Sequence, residues 1–84
     1  MSAYEAKTVT VTTTAQVVVV ADPDVDRRVH VLTYQNTVFF GFDAVNGAKQ
    51  DSGVPAPFVL PADEDLYVWT SSGTAPIGII VTKA

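Results

Sequence analysis

A chain of 84 residues with nine acidic and five basic side chains, a net charge of −4 and 48% hydrophobic residues has the size and make-up of one small acidic domain. It contains no cysteine and a single histidine, which excludes a disulfide framework, a cysteine-based zinc site and a histidine-rich metal site within one chain. The charge balance argues against nucleic acid as the primary partner, which would need clustered Lys and Arg, and no apolar run approaches the ~20 residues of a membrane span.

Residues 1–6 show no periodicity and are expected to form a short N-terminal arm, leaving 7–84 as a single domain. Residues 7–13 (KTVTVTT) set Val9 and Val11 against Thr8, Thr10 and Thr12, the alternation of a half-buried strand. Residues 16–20 (QVVVV) are β-branched after the glutamine and read as a strand covered on both faces. Residues 21–26 (ADPDVD) form a loop, since Pro23 lacks an amide donor and aspartates favour turns. Residues 28–35 form the next strand, with Val29, Val31 and Thr33 on one face and His30, Leu32 and Tyr34 on the other. A Gln35-Asn36-Thr37 corner leads into residues 38–42 (VFFGF), and these two runs are expected to be adjacent strands.

Residues 43–56 read as one long loop, with Asn46-Gly47 and Ser52-Gly53 suited to positive φ. A short apolar strand follows at 57–60, closed by Pro61 and the acidic turn 62–65. Residues 66–70 (LYVWT) and 77–82 (IGIIVT) are the last strands, joined through 71–76 by a hairpin-length connection with Gly73 as its flexible point. No window carries a helical period. About seven short strands separated by turn signals indicate an all-β, antiparallel β-sandwich or small barrel.

Residues that could carry chemistry are few. Asp22-x-Asp24-x-Asp26 opens like a calcium loop, but an EF-hand needs Gly at its sixth position and Glu at its twelfth, where this chain has Arg27 and Thr33. Turn carboxylates balanced by Arg27 and Arg28 are the better reading, and Asp63-Glu64-Asp65 is a solubilising turn. His30 lies mid-strand, while Ser2, Ser52, Ser71 and Ser72 fall in loops without a strained nucleophile motif. The acids lie in turns or in the arm rather than across a cleft, and the glycines are scattered singly, not in a phosphate-binding loop. No catalytic, cofactor or metal site is expected, so the chain reads as a non-enzyme.

The strand faces are more informative. One face per strand suffices to fill a two-layer core. That leaves Phe39, Tyr67, Trp69 and Ile80, together with either Val17 and Val19 or Val18 and Val20, without an obvious home. Val38, Phe40 and Phe42 are assigned to the core. Trp and Tyr are enriched among interface anchors, and a domain this small without disulfide or metal gains most from association. Phe39, Tyr67, Trp69 and Ile80 are therefore the expected partner interface. The same aromatics suit sugar stacking, with Asp43, Asn46 and Gln50 as polar contacts.

The order of elements resembles that of small all-β proteins encoded among tailed-phage structural genes, of the capsid decoration, minor capsid or head-fibre type. The resemblance spans about residues 8–82. It rests on the Thr/Val opening at 9–13, Arg27-Arg28 before an apolar strand, the Gln35-Asn36-Thr37 corner and VFFGF with Gly41. The apolar-Pro-acidic turn at 58–65, the aromatic strand at 66–69, the Ser-Gly-Thr-Ala connection at 72–75 and the terminal Ile/Val strand complete it. What the resemblance implies is a virion protein, assembled in the host cytoplasm, that binds the lattice of a major capsid protein as a homo-oligomer and stabilises the shell, with neither nucleic acid nor membrane as partner. A tail or head-to-tail component, or a carbohydrate-binding or host-attachment module, are the alternatives. The resemblance transfers no site residues.

Overall fold

Eight strands alternate between two layers in a computed structural model that describes residues 4–33, 37–50 and 56–84. They are β1 (Glu5–Val11), β2 (Gln16–Val19), β3 (Arg27–Thr33), β4 (Val38–Gly41), β5 (Ala48–Gln50), β6 (Phe58–Leu60), β7 (Leu66–Thr70) and β8 (Ala75–Lys83). The first sheet has the order β1-β8-β3-β6 and the second β2-β7-β4-β5, with every pair antiparallel. The two sheets form a β-sandwich, the all-β class that the turn-separated strands imply.

Period-two alternation supplies the core. From β8 come Ala75, Ile77, Ile79 and Val81, from β7 Leu66 and Val68, from β3 Val29 and Val31, and from the remaining strands Val11, Val18, Val19, Val38 and Leu60. Phe40 and Phe58 pack against this cluster edge to face, with ring centroids 6.1 Å apart. Strand β2 departs from alternation because a bulge between Val17 and Val19 buries Val18 and Val19 together and leaves Val17 and Val20 exposed. Neither of the two alternating pairs expected from the sequence describes this strand.

Five sequence expectations change. Strands β3 and β4 are not adjacent: β3 pairs with β6 and β8, whereas β4 pairs with β5 and β7 in the other sheet. Likewise β7 and β8 form no hairpin, since residues 71–74 carry the chain from one layer to the other. A four-residue connection reaches about 13 Å, enough to cross the ~10 Å between packed sheets. Gly73 supplies a φ of 64° there, and the Thr70 hydroxyl donates to its carbonyl at 3.2 Å. The expected loop at 43–56 contains β5, whose sequence Ala-Lys-Gln is too short and too weakly patterned to announce a strand. Of the two turn glycines expected there, Ser52-Gly53 lies outside the described residues. β1 also begins at Glu5, inside the expected arm. β4 stops at Gly41, so Phe42 falls beyond the alternation and is 53% exposed rather than core.

One end of the sandwich is latched by Arg27. Its side chain is 3% exposed and donates to carbonyl oxygens of Val20, Pro61 (3.5 Å) and Glu64 (3.0 Å), while its Nε–H has no partner. The expected balance of Arg27 against the aspartates is thus replaced by bonding to backbone. The aspartates cap backbone amides instead: Asp22 Oδ1 accepts from Asp24 at 3.0 Å, Asp26 Oδ1 from Ala62 at 2.7 Å and Asp65 Oδ1 from Ala21 at 2.6 Å. Together with the Asp63 amide donating to the Asp22 carbonyl at 2.8 Å, these bonds tie residues 21–26 to 61–65.

Arg27→Met keeps most of the aliphatic stem but removes the donor to the Val20 and Glu64 carbonyls, while the Pro61 carbonyl keeps the Glu64 amide at 3.3 Å. It is expected to destabilise the fold by about 3 kcal/mol, because charge-assisted bonds to part-buried groups are lost together. Urea denaturation reads this as a lowered midpoint at unchanged slope. Arg28→Met, on an exposed side chain of the same strand, is expected to change the midpoint little.

Candidate interaction surface

Alternation in β7 sends Leu66, Val68 and Thr70 inward and Tyr67 and Trp69 outward. The register Phe39↔Trp69 and Phe39↔Lys49 places these side chains in one row across the outer face of the second sheet. A second row follows from Val17↔Tyr67 and Gly41↔Tyr67. The Phe39 and Trp69 rings are directly opposed and stack, with centroids 5.6 Å apart and planes 12° from parallel. Such cross-strand aromatic pairs contribute about 0.5–1.5 kcal/mol beyond their buried area. Phe39, Tyr67 and Trp69 are each half-buried, and Val17 beside them is exposed.

The turn after β4 lies across part of this face. Asp43 Oδ1 accepts from the amides of Val45 (2.8 Å) and Asn46 (2.7 Å), and its Oδ2 accepts from the Asn46 side-chain amide at 3.3 Å. These bonds, led by that of the Asn46 amide, hold the Asp43 carboxyl below its ordinary value of 3.8. The turn is pressed so close to the sheet that a Cβ on Gly47 would lie 2.5 Å from Trp69 Cη2, and one on Gly41 would collide with the Asn46 carbonyl. Among the described residues the positive φ angles belong to Asp63 and Gly73. Gly47 therefore answers to the closeness of the indole ring, not to the turn conformation expected from Asn46-Gly47.

The structure brings Phe39, Tyr67 and Trp69 together and places Ile80 elsewhere. Ile80 is on β8, in register with Ala6 and His30 on the outer face of the first sheet, with the exposed Leu32 and Val59 on the neighbouring strands β3 and β6. The four residues therefore occupy opposite faces of the sandwich and do not make one surface. The reason is the topology: β7 and β8 are in different sheets, so outward on one strand is opposite to outward on the other. Val17, in one of the two alternatives left open for the valine run, belongs to the aromatic face, as do Gly47 and Lys49, which sequence patterning did not place there. The bulge decides the outcome for Val17, and the unrecognised β5 hid Lys49.

The polar contacts that a sugar site would use do not converge on the aromatics. Asp43 and Asn46 bond to each other's segment, and Gln50 is in register with the inward Val38. Between β4, β5 and β6 lies a cleft of about 320 Å³ lined by Phe40, Phe42, Ala48, Phe58 and Leu66. Among the described residues no group of three or more His, Asp or Glu is placed to hold a metal ion. Comparison of the chain with protein-family models, with curated proteins and with solved structures finds no match.

Gly47→Ala is expected to lift the turn off the indole and to lower stability by about 1–3 kcal/mol, the usual range for overpacking. Because Trp69 is the one tryptophan of the chain, a red-shifted emission from the folded protein reports the lifting. The turn is also expected to respond to acid. A depressed folded-state pKa means that the contribution of Asp43 is complete above 3.8 and is lost as pH falls through the lower, folded value. Tryptophan emission of the wild type then shifts red in that acid window. Asp43→Asn keeps an acceptor without a titrating group and is expected to remove that transition.

Proposed function

We propose that this chain is a non-enzymatic virion structural protein, a capsid decoration or minor capsid protein that binds the lattice of a major capsid protein and multimerises on the shell. The observation that carries the reading is the outer face of the second sheet. An antiparallel sheet with one face on the core ordinarily turns a polar face to water. Here that face presents Val17, Tyr67, Trp69 and Phe39 in two adjoining rows. Aromatic anchors of this kind supply most of the energy in protein interfaces.

The sequence resemblance points the same way, and the rest of the molecule is compatible with it. A small acidic sandwich with aromatics on an outer face is suited to adding weak contacts many times over. On a repeated lattice, each contact has only to be modest for the whole coat to hold. The sugar-binding alternative draws less support, because its polar partners are used within the turn or belong to the inward-facing register.

Purified particles are expected to contain the chain in hundreds of copies, counted by quantitative mass spectrometry against the major capsid protein. Tens of copies would instead indicate a tail or head-to-tail component, and absence from particles would overturn the reading. Tyr67→Ala and Val17→Asp leave the Phe39–Trp69 stack in place and are expected to lower occupancy on stripped shells roughly tenfold, equivalent to about 1.4 kcal/mol per site. Binding to a glycan array without any shell would favour the alternative.

A further inference from the structure

We infer that β1 is a docking edge for a second copy of this chain, pairing antiparallel with its counterpart about a two-fold axis at Ala6. This deepens the multimerisation part of the proposed function by naming where copies join. It is argued from three features of the strand itself.

The first is the bareness of the edge. Native sheets blunt their outer strands by shortness, bulges or cover. Strand β2 carries a bulge, and β5 and β6 have three residues each. Strand β1 runs for seven residues in unbroken register with β8, and Glu5, Ala6, Lys7 and Thr8 are all exposed.

The second is the direction of its backbone groups. In an antiparallel ladder, successive residues bond alternately to one side and the other. The Gln16 side-chain amide donates to the Thr10 carbonyl at 3.1 Å, so that carbonyl points away from β8. By alternation, Ala6 and Thr8 also direct their N–H and C=O groups to the open edge, while Glu5, Lys7, Val9 and Val11 bond to β8. Gln16 occupies the edge at Thr10, which confines a partner strand to the N-terminal half of β1.

The third is charge, which selects one register. Only even-numbered residues present open-edge groups, so the two-fold must pair even with even. Centring it between Ala6 and Thr8 sets Lys7 against Lys7. Centring it on Thr8 requires the Thr10 carbonyl that Gln16 occupies. Centring it on Ala6 sets Ala6 against Ala6, and sets Glu5 against Lys7 twice. Those two are non-hydrogen-bonded pairs, where side chains approach closest. Glu5 and Lys7 already make an ion pair within one chain at 3.5 Å. Pairing turns that contact into an alternating four-charge row. The product is a continuous eight-stranded sheet from two four-stranded ones.

The test is sedimentation equilibrium of the free chain, without any shell, at low salt over rising concentration. The wild type is expected to move from the mass of one chain to that of two. Lys7→Glu places acid opposite acid and is expected to stay monomeric, and the exchange Glu5→Lys with Lys7→Glu is expected to restore the dimer. Ala6→Pro removes an N–H that points to the open edge rather than to β8, so it is expected to abolish the dimer with the circular dichroism of the fold retained. A wild type that stays monomeric throughout overturns the inference. So does a dimer that survives Ala6→Pro, or a charge exchange that fails to restore pairing in a folded protein. None of these results touches particle composition, so failure of the edge and failure of the virion reading are separate outcomes.

Discussion

Among the described residues, six of the seven successive pairs of strands lie in different sheets, and only β4 and β5 follow each other within a layer. Neither sheet can therefore be assembled from a local stretch of sequence. The inner strands β8 and β7 each receive partners from distant parts of the chain: β8 from β1 and β3, β7 from β2 and β4. Loop-closure entropy has to be met before any of these pairings contributes. A chain of this length without covalent cross-links has little margin for that, and folding is consequently expected to be slow for its size and cooperative across both layers. The latch at Arg27 belongs to this constraint. It bonds to the end of β2 and to the β6–β7 connection, two places where the chain changes layer, and so fixes the separation of the sheets at that end.

Strand positions and strand faces were legible in the sequence because each follows from a local rule. Alternation in β7 and β8 placed Leu66, Val68, Ile77, Ile79 and Val81 inside, and the structure buries all five. Pairing was not legible. A short polar connection between two apolar runs reads as a hairpin, yet the same few residues reach across a sandwich as easily as they reverse within a sheet. What decides between them is which arrangement buries the second face, and that depends on strands far away in the chain. The bulge in β2 and the three-residue β5 escaped for a different reason. In a run of four valines every register is equally apolar, and Ala48-Lys49-Gln50 has no β-branched or aromatic residue to mark it as a strand.

The same division runs through the candidate surface. Phe39, Tyr67 and Trp69 could be picked out because each occupies the face opposite its strand's buried set. Grouping them with Ile80 required the pairing of strands, and there the local rule failed. Gly47 shows what lies beyond local reading. A glycine after asparagine is the usual sign of a tight turn, but here the absent Cβ makes room for the edge of an indole ring twenty-two residues further along the chain. The turn and the aromatic row are thus one unit: Asp43 organises the turn, and the turn presses against Trp69, while Val17 is the exposed apolar side chain of the face.

The aromatic face and the β1 edge lie in different sheets, and this separation gives the proposed assembly its geometry. A face contact lies perpendicular to the second sheet, while edge pairing extends the first sheet within its own plane. The two contacts do not compete for residues, so one copy can hold a shell through its aromatics and a neighbour through its backbone. Edge pairing alone involves few residues and one short charge row, and exposed ion pairs are individually weak. Such a contact pairs free chains only as their concentration rises. It strengthens when the face contact has already fixed two copies side by side, because the second association is then intramolecular. A modest edge suits the proposed assembly, since a strong bare edge would assemble chains before a lattice could order them.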